Sequence, residues 1–468
     1  AGKEIIKQQY LYKYYSMEGV EAIPLKEKKK LHRAWAMYDW ANSAYNLVIT
    51  STIFPIYYVA VTRNPSNEDK VNFFGWEVIN TALLNYALAF AYFIIAILSP
   101  ILSSMADSKG NKKKYMQFFT TTGAIACMGL YFFKTGKVEL GILLSVVAAI
   151  GYCGSLVFYN AYLPEIAVKS EQDALSAKGF AYGYIGCVLC QLICLVFVFQ
   201  HDAWFGQEES WGPRVSFLIV GIWWLAWALI PFKVLPSKPV AIKITAKGKN
   251  AVRGSFSALK KVWKQVQTMP RLKVYLGAFF FYSMGVQTVM LAAAVFGSKV
   301  VKKQVEGKWV DMEAQDLIPA ILMIQLVAIL GAMLMAKLSA KMGNFKVLMI
   351  NIFIWVCVCV LAYFTRTNYE FYGIAVLVGF VMGGIQSLSR STFSKLIPED
   401  SRDNTSYFSF YDVMEKMSIV LGMFSFAFIE QITGDMRNAI IGLTSYFIVG
   451  FILLLFTQKA PLKRSKKV

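Results

Sequence analysis

Twelve stretches of mainly apolar residues, each about long enough to cross a bilayer, divide the 468-residue chain, with short polar segments between them. Residues 33–60, 79–105, 115–133, 139–163, 179–200 and 214–235 form a first set of six. Residues 273–297, 316–338, 346–364, 371–396, 408–432 and 437–457 form a second. Each stretch is predicted as a membrane-spanning helix. The first carries an acid within a polar stripe. Asp39, Asn42, Ser43, Asn46 and Thr50 recur at offsets of three and four, which places them on one face of a helix. The opposite face is Ala, Leu, Val, Ile and Phe. A charge near the middle of a membrane helix costs about 2.5 to 3.5 kcal/mol on insertion scales, so it faces a cavity or a partner. This helix is expected to line something wet.

Composition agrees with a polytopic membrane protein. The chain is 57% apolar and only 16% charged, against roughly 25% charged residues in soluble domains. The net charge of +20 does not point to nucleic acid, because the basic residues are spread over alternate loops and not gathered on one domain. The N-terminal tail (1–32), alternate loops, the central loop (236–272) and the C-terminal tail (459–468) hold about 35 Lys and Arg, and the opposite loops about 11. That bias places both termini in the cytoplasm. Within the central loop Phe256, Leu259, Trp263 and Val266 recur at helical spacing beside Lys260, Lys261 and Lys264. This is the pattern of a helix lying on anionic lipid headgroups, with a solvated connector helix as the plainer alternative. The seven cysteines all lie in apolar segments. Cys187 and Cys190 form a CxxC without acidic or His companions, so packing is expected and not metal or redox chemistry. His32 and His201 both sit at helix ends. Neither a metal nor a cofactor is expected, and the polar, basic first thirty residues do not read as a cleavable leader.

The two sets of helices repeat one another. "GNKKKYM" begins at Gly110 and "GNFKVLM" at Gly343, 233 residues apart. "LPE" around Pro164 ends the fourth span, and "IPE" around Pro398 ends the tenth, 234 residues apart. Two matches at nearly one offset argue for duplication. The predicted fold is an all-α membrane protein of two six-helix bundles, 33–235 and 273–458, related by a pseudo-twofold along the membrane normal. That is the architecture of major facilitator transporters.

"SSMADSKGNKKKYM" (103–116) resembles the loop signature of that superfamily between its second and third helices, through Asp107, Gly110, Lys112 and Lys113. Ser103 stands where Gly is usual, and Ser108 and Asn111 stand where basic residues are usual. The resemblance implies a conformational latch. The acid pairs with basic loop residues and with the positive N-terminal end of helix 11, holding the cytoplasmic side closed. The second copy has Ala340 where an acid would fall. Four further stretches, "RAWAMYDWANSAY", "FYNAYLPEIA", "YSMGVQTV" and "GGIQSLSRSTFSKLIPE", resemble the vacuolar amino-acid effluxer-like family, also called the unknown major facilitator family. The resemblance covers roughly residues 33 to 458. It implies export of an amino acid or another small organic solute, and relatives often carry an acid where this chain has Met284.

In that fold helices 1, 4, 7 and 10 line the central cavity. The candidates for substrate binding or gating are Asp39, Asn42 and Asn46 on helix 1, Tyr159 and Asn160 on helix 4, Gln287 on helix 7, and Gln386 and Arg390 on helix 10. Gly379, Gly383, Gln386, Arg390 and Ser394 share one face of helix 10; its glycines are read as packing contacts. Asp39 and Arg390 each lie roughly 9 Å inside the cytoplasmic end of their helix at 1.5 Å per residue. Asp39 is the candidate for proton coupling. Two roles are open for Arg390: a bidentate ligand for a substrate carboxylate, or a gate partner of Asp39. Lys416 is one turn from Asp412, which makes an intramembrane pair. The reading is a monomeric secondary transporter working by alternating access, not an enzyme, in a bacterial inner membrane or alternatively a vacuolar one. Its alternatives are a facilitative uniporter and a non-transporting sensor or scaffold on the same fold; a channel or scramblase sits poorly with the repeat.

Overall fold

The computed structural model of the protein describes residues 24–63, 70–237, 260, 262–312, 314–398 and 403–460. Twelve long helical segments run through the described residues. α1 comprises Leu25–Ala44, a π-helical stretch Tyr45–Ser51 and Ile53–Thr62. It is followed by α2 (Asn80–Lys109), α3 (Lys112–Gly129), α4 (Val138–Asn160), α5 (Gln172–Phe199) and α6 (Trp211–Val234). The second set is α7 (Pro270–Val300), α8 (Ala314–Met342), α9 (Asn344–Phe364), α10 (Asn368–Leu396), α11 (Asn404–Thr433) and α12 (Met436–Gly442 continuing as Thr444–Lys459). Ten of them are long and apolar enough to cross a membrane, while α3 and α11 carry more polar and charged residues.

Local sequence explains where several helices start and stop. α10 opens on a capping box in which Thr367 accepts from the Glu370 amide and the Glu370 carboxylate accepts from the Thr367 amide at 3.0 Å. Asp435 caps α12 by accepting from the Arg437 amide at 2.8 Å. Pro270 stands in the first turn of α7, where its missing N–H is not needed. Gly110 ends α2 at φ 61° and Gly343 stands between α8 and α9 at φ 85°, both in the left-handed region that a glycine enters freely.

Two β-hairpins were not legible in the chain's pattern. β1 (Lys70–Phe73) pairs antiparallel with β2 (Trp76–Ile79), and β3 (Lys302–Val305) with β4 (Lys308–Asp311). Each turns through two residues at positive φ: Phe74 (50°) and Gly75 (89°) in one, Glu306 (50°) and Gly307 (80°) in the other. That is the primed turn matching strand twist. The hairpins follow α1 and α7, and their turn glycines stand 232 residues apart, a further match at the offset of the repeat.

The chain forms two compact units: Ala1–Val168 with Tyr182–Phe256 and Asp403–Ser409, and Lys169–Ala181 with Ser257–Arg402 and Phe410–Val468. The first turns of α5 thus group with α7–α10 and α12, and the first turns of α11 group with α1–α4 and α6. In the first unit α3 and α4 meet at Gly123 and Gly151, where a side chain on Gly151 would run into the Gly123 backbone. Buried aromatic rings fill the rest, including Tyr57, Phe133 and Phe217, and Tyr45 with Trp224. In the second unit α8 and α10 lie close enough that a side chain on Gly379 or Gly383 would strike the carbonyl of Ile324 or Ala328. These glycines serve helix packing.

Of the expected interfacial helix, Phe256, Leu259 and Lys261 fall outside the described residues or their side chains. The part described differs from a purely lipid-facing helix. Val262 and Val266 are buried, one turn apart, and the half-exposed Trp263 ring lies 5.8 Å from Phe410.

Candidate functional site

In the first unit the site is built around Asp39. Its carboxylate is 5% exposed and accepts a hydrogen bond from the Tyr159 hydroxyl at 2.8 Å. Tyr159 is held by α1 itself. Its ring stacks on Trp35 with centroids 4.5 Å apart and lies 4.8 Å from Tyr38, and its backbone carbonyl accepts from the Trp35 indole N–H at 3.1 Å. Tyr38 in turn bonds Thr120 of α3 at 2.6 Å. The donor to the acid is thereby positioned by two aromatic side chains of α1, Trp35 and Tyr38. α5 approaches the same stretch of α1 so closely that a side chain on Gly183 would meet Ser43 at 2.5 Å.

The polar stripe departs from a regular helix above this point. Asn42 is buried, Asn46 and Thr50 are half-buried, and both of the latter lie in the π-helical stretch. Such a stretch adds a residue to the turn, so the three-and-four spacing no longer keeps Thr50 in register with Asp39. The interruption is stabilised by Thr52, whose hydroxyl donates to the Leu47 carbonyl at 2.7 Å and lies 2.9 Å from the side-chain amide of Gln191 on α5. Asn160, the last residue of α4, is half-buried.

In the second unit Arg390 is 4% exposed. Its Nε donates to the Ser176 hydroxyl and its Nη2 to the Ser176 carbonyl, both at 2.9 Å, and its guanidinium lies 4.2 Å over the Phe180 ring. Gln386 donates to the Met290 sulfur at 3.4 Å, and Gln287 donates to Glu415 at 3.2 Å. Ser389 accepts from Tyr275 through its carbonyl at 2.8 Å and shares a hydrogen bond of 2.7 Å with Tyr282. The expected Asp412–Lys416 pair is present, and it has a second acidic member. The two are 3.6 Å apart, but Lys416 is nearer to Glu415, at 3.0 Å. One-turn spacing favours Asp412, yet two long side chains on adjacent residues reach one another. Glu415 was missed for that reason.

The latch residues meet one half of their expectation. Asp107 accepts from the backbone amides of Thr405 (3.3 Å) and Ser406 (2.8 Å) and from the Ser406 hydroxyl (2.8 Å), which caps the first turn of α11. The basic residues go elsewhere. Lys112 pairs with Glu165 and lies 4.0 Å over the Tyr162 ring; Lys113 donates to the Leu235 carbonyl at 2.8 Å, at the end of α6. A second cluster was not anticipated. Asp173 in the first turn of α5 accepts from Lys395 (2.5 Å), Asn344 (2.8 Å) and Ser339 (3.0 Å). Ser339 stands next to Ala340, the position without an acid, so the acid of this cluster sits on α5 instead. Single-sequence spacing offers no signal that joins residues 166 to 222 positions apart.

A family model described as "Vacuole effluxer Atg22 like" matches residues 27–467. The chain belongs to the Atg22-like family. It is similar to YxiO of Bacillus subtilis strain 168, described as an uncharacterized MFS-type transporter, with 32% identity over 436 residues, 93% of this chain and 96% of that one. It is also similar to autophagy-related protein 22 of Kluyveromyces lactis, 24% identical over 490 residues, 94% and 95% of the two chains. Among solved structures it is similar to the MFS transporter FucP in the outward conformation (TM-score 0.65, 16% identity, 92% and 98% covered). A further likeness is to the human organic anion transporter MFSD10 (TM-score 0.66, 11% identity, 92% and 100% covered). These likenesses establish the major facilitator fold. The Atg22-like chain is an integral membrane protein and a transporter of the MFS type.

Proposed function

We propose that this transporter moves a small organic solute with a carboxylate, an amino acid being the leading candidate, by alternating access. In this reading Asp39 is the proton-coupling acid and Arg390 the carboxylate ligand. The observation that carries it is a carboxylate and a guanidinium, each about 5% exposed or less within a membrane-spanning helix. Ionised groups at that depth are expensive and are kept for transport chemistry. Asp39 exchanges one charge with each proton, and the Tyr159 hydroxyl that donates to its carboxylate favours the ionised form. Capping of α11 by Asp107 supports a latch that holds one state of the cycle, with both termini and the latch on the cytoplasmic side. A single copy carries all of these groups, which supports a monomer.

The test is purified protein in liposomes, screened with labelled amino acids, peptides and sugars under an imposed pH gradient. Asp39→Asn is expected to retain exchange of the transported solute at equal pH and to lose accumulation driven by the gradient. Normal gradient-driven accumulation by the folded variant would reject proton coupling through Asp39. Transport that never responds to the gradient, in either protein, would make this a uniporter.

A further inference from the structure

The contact between Arg390 and Ser176 has the shape of a ligand complex. Nε and Nη2 lie along one edge of the guanidinium and present two parallel N–H donors, the edge that takes the two oxygens of a carboxylate. Here the two oxygens are the hydroxyl and the backbone carbonyl of one serine, each 2.9 Å away. The serine hydroxyl is oriented for this, because its own proton goes to the Ser387 carbonyl at 2.8 Å. Phe180, one turn further along α5, covers the face of the same guanidinium at 4.2 Å. Ser176 is fully buried, and so is Ser387.

We infer that Ser176 is an internal stand-in for a carboxylate ligand, occupying one edge of Arg390 until the first turns of α5 withdraw. The inference rests on the reading of Arg390 as a carboxylate ligand and adds what controls access to it. A buried guanidinium with an empty edge would leave donors unsatisfied; the serine satisfies them with neutral oxygens. A carboxylate is the stronger acceptor for the same donors because it is charged. Docking of α5 and binding of a carboxylate to that edge then exclude one another. By linkage, a carboxylate shifts the protein toward the undocked state. The docked turns are fastened beside the edge by Asp173 to Lys395, Asn344 and Ser339, and by Ala177 packed on Ala332 and Ala336 of α8.

Two measurements on the full-length purified protein test this. In the first, Ala177→Cys is labelled with a maleimide, read by mass spectrometry on the peptide containing residue 177. Glycine and acetate are the probes; glycinamide and sodium chloride at equal ionic strength are the controls. Labelling is expected to rise several-fold with glycine or acetate and to stay flat with the controls. The response should vanish when Arg390→Gln is added. In the second, the arginine reagent phenylglyoxal is applied to otherwise unaltered chains, so that no cysteine is introduced. Modification of Arg390 should be several-fold faster in Ser176→Ala than in the parent, and acetate should protect the variant. Equal labelling with acetate and glycinamide, or an unchanged rate in Ser176→Ala, would overturn the inference. Solute transport with α5 labelling blind to carboxylates removes this inference and leaves the transporter reading of Arg390 to other contacts. Carboxylate-dependent labelling without movement of any solute in liposomes leaves the inference and removes that reading.

Discussion

An acid within a membrane helix is governed by its donors, and for Asp39 the structure names one that a mutation can remove without changing shape. Tyr159→Phe keeps the ring stacked on Trp35 and deletes the hydroxyl 2.8 Å from the carboxylate. A hydrogen bond to a charged group is worth about 1.5 to 3 kcal/mol. The variant is expected to unfold at a lower temperature than the parent and to exchange solute more slowly at equal pH. A melting midpoint and exchange rate both equal to the parent would mean that the hydroxyl contributes nothing to this acid. Asp39 and Arg390 were legible in the sequence because a charge inside an apolar run is conspicuous. Asp173, Lys395 and Glu415 were not. The first two lie at helix ends, where a charge is cheap and says little, and Glu415 was hidden by a neighbour that already had a partner at one-turn spacing.

At the level of helices, α11 depends for its first turn on an acid from another helix. Asp107 accepts two backbone N–H groups and one hydroxyl there, a capping role supplied from α2 where a cap usually comes from the preceding residue. Asp107→Ala leaves those amides without this acceptor and is expected to cost about 1 kcal/mol. Hydrogen exchange should then quicken several-fold in the peptide covering residues 404–409; exchange no faster than in the parent would show that α11 does not rely on the acid. Helix existence was readable from apolar length, and the latch acid from its loop signature. The π-helical stretch in α1 was not, since Thr52, which bonds back to the Leu47 carbonyl, also meets Gln191 of α5, a contact 139 positions away that spacing does not reveal. The hairpins were missed for a different reason. Four-residue strands beside spans of some twenty apolar residues leave no alternation long enough to count.

For the whole molecule, the uneven spread of basic residues predicts the side of the membrane on which each loop lies. Alkaline phosphatase fused after Ala460 should be inactive, and the same reporter fused at Gly307 in the β3–β4 turn should be active, as the enzyme works only outside the cytoplasm. The reverse pattern would invert the topology. The two-halved fold was foreseen from matches around Gly110 and Gly343, and the hairpin turns at Gly75 and Gly307 add a pair that no string comparison had offered. All four glycines hold a left-handed backbone, where any side chain with a Cβ pays about 1 to 2 kcal/mol. After a gene doubles, ordinary positions drift until the copies no longer resemble one another in letters. Positions with such a penalty drift least, so they act as survey marks on an eroded map. A free-standing ancestor of one half would then be sought by the gap between two such glycines, 35 residues in the first copy and 36 in the second, and not by overall identity.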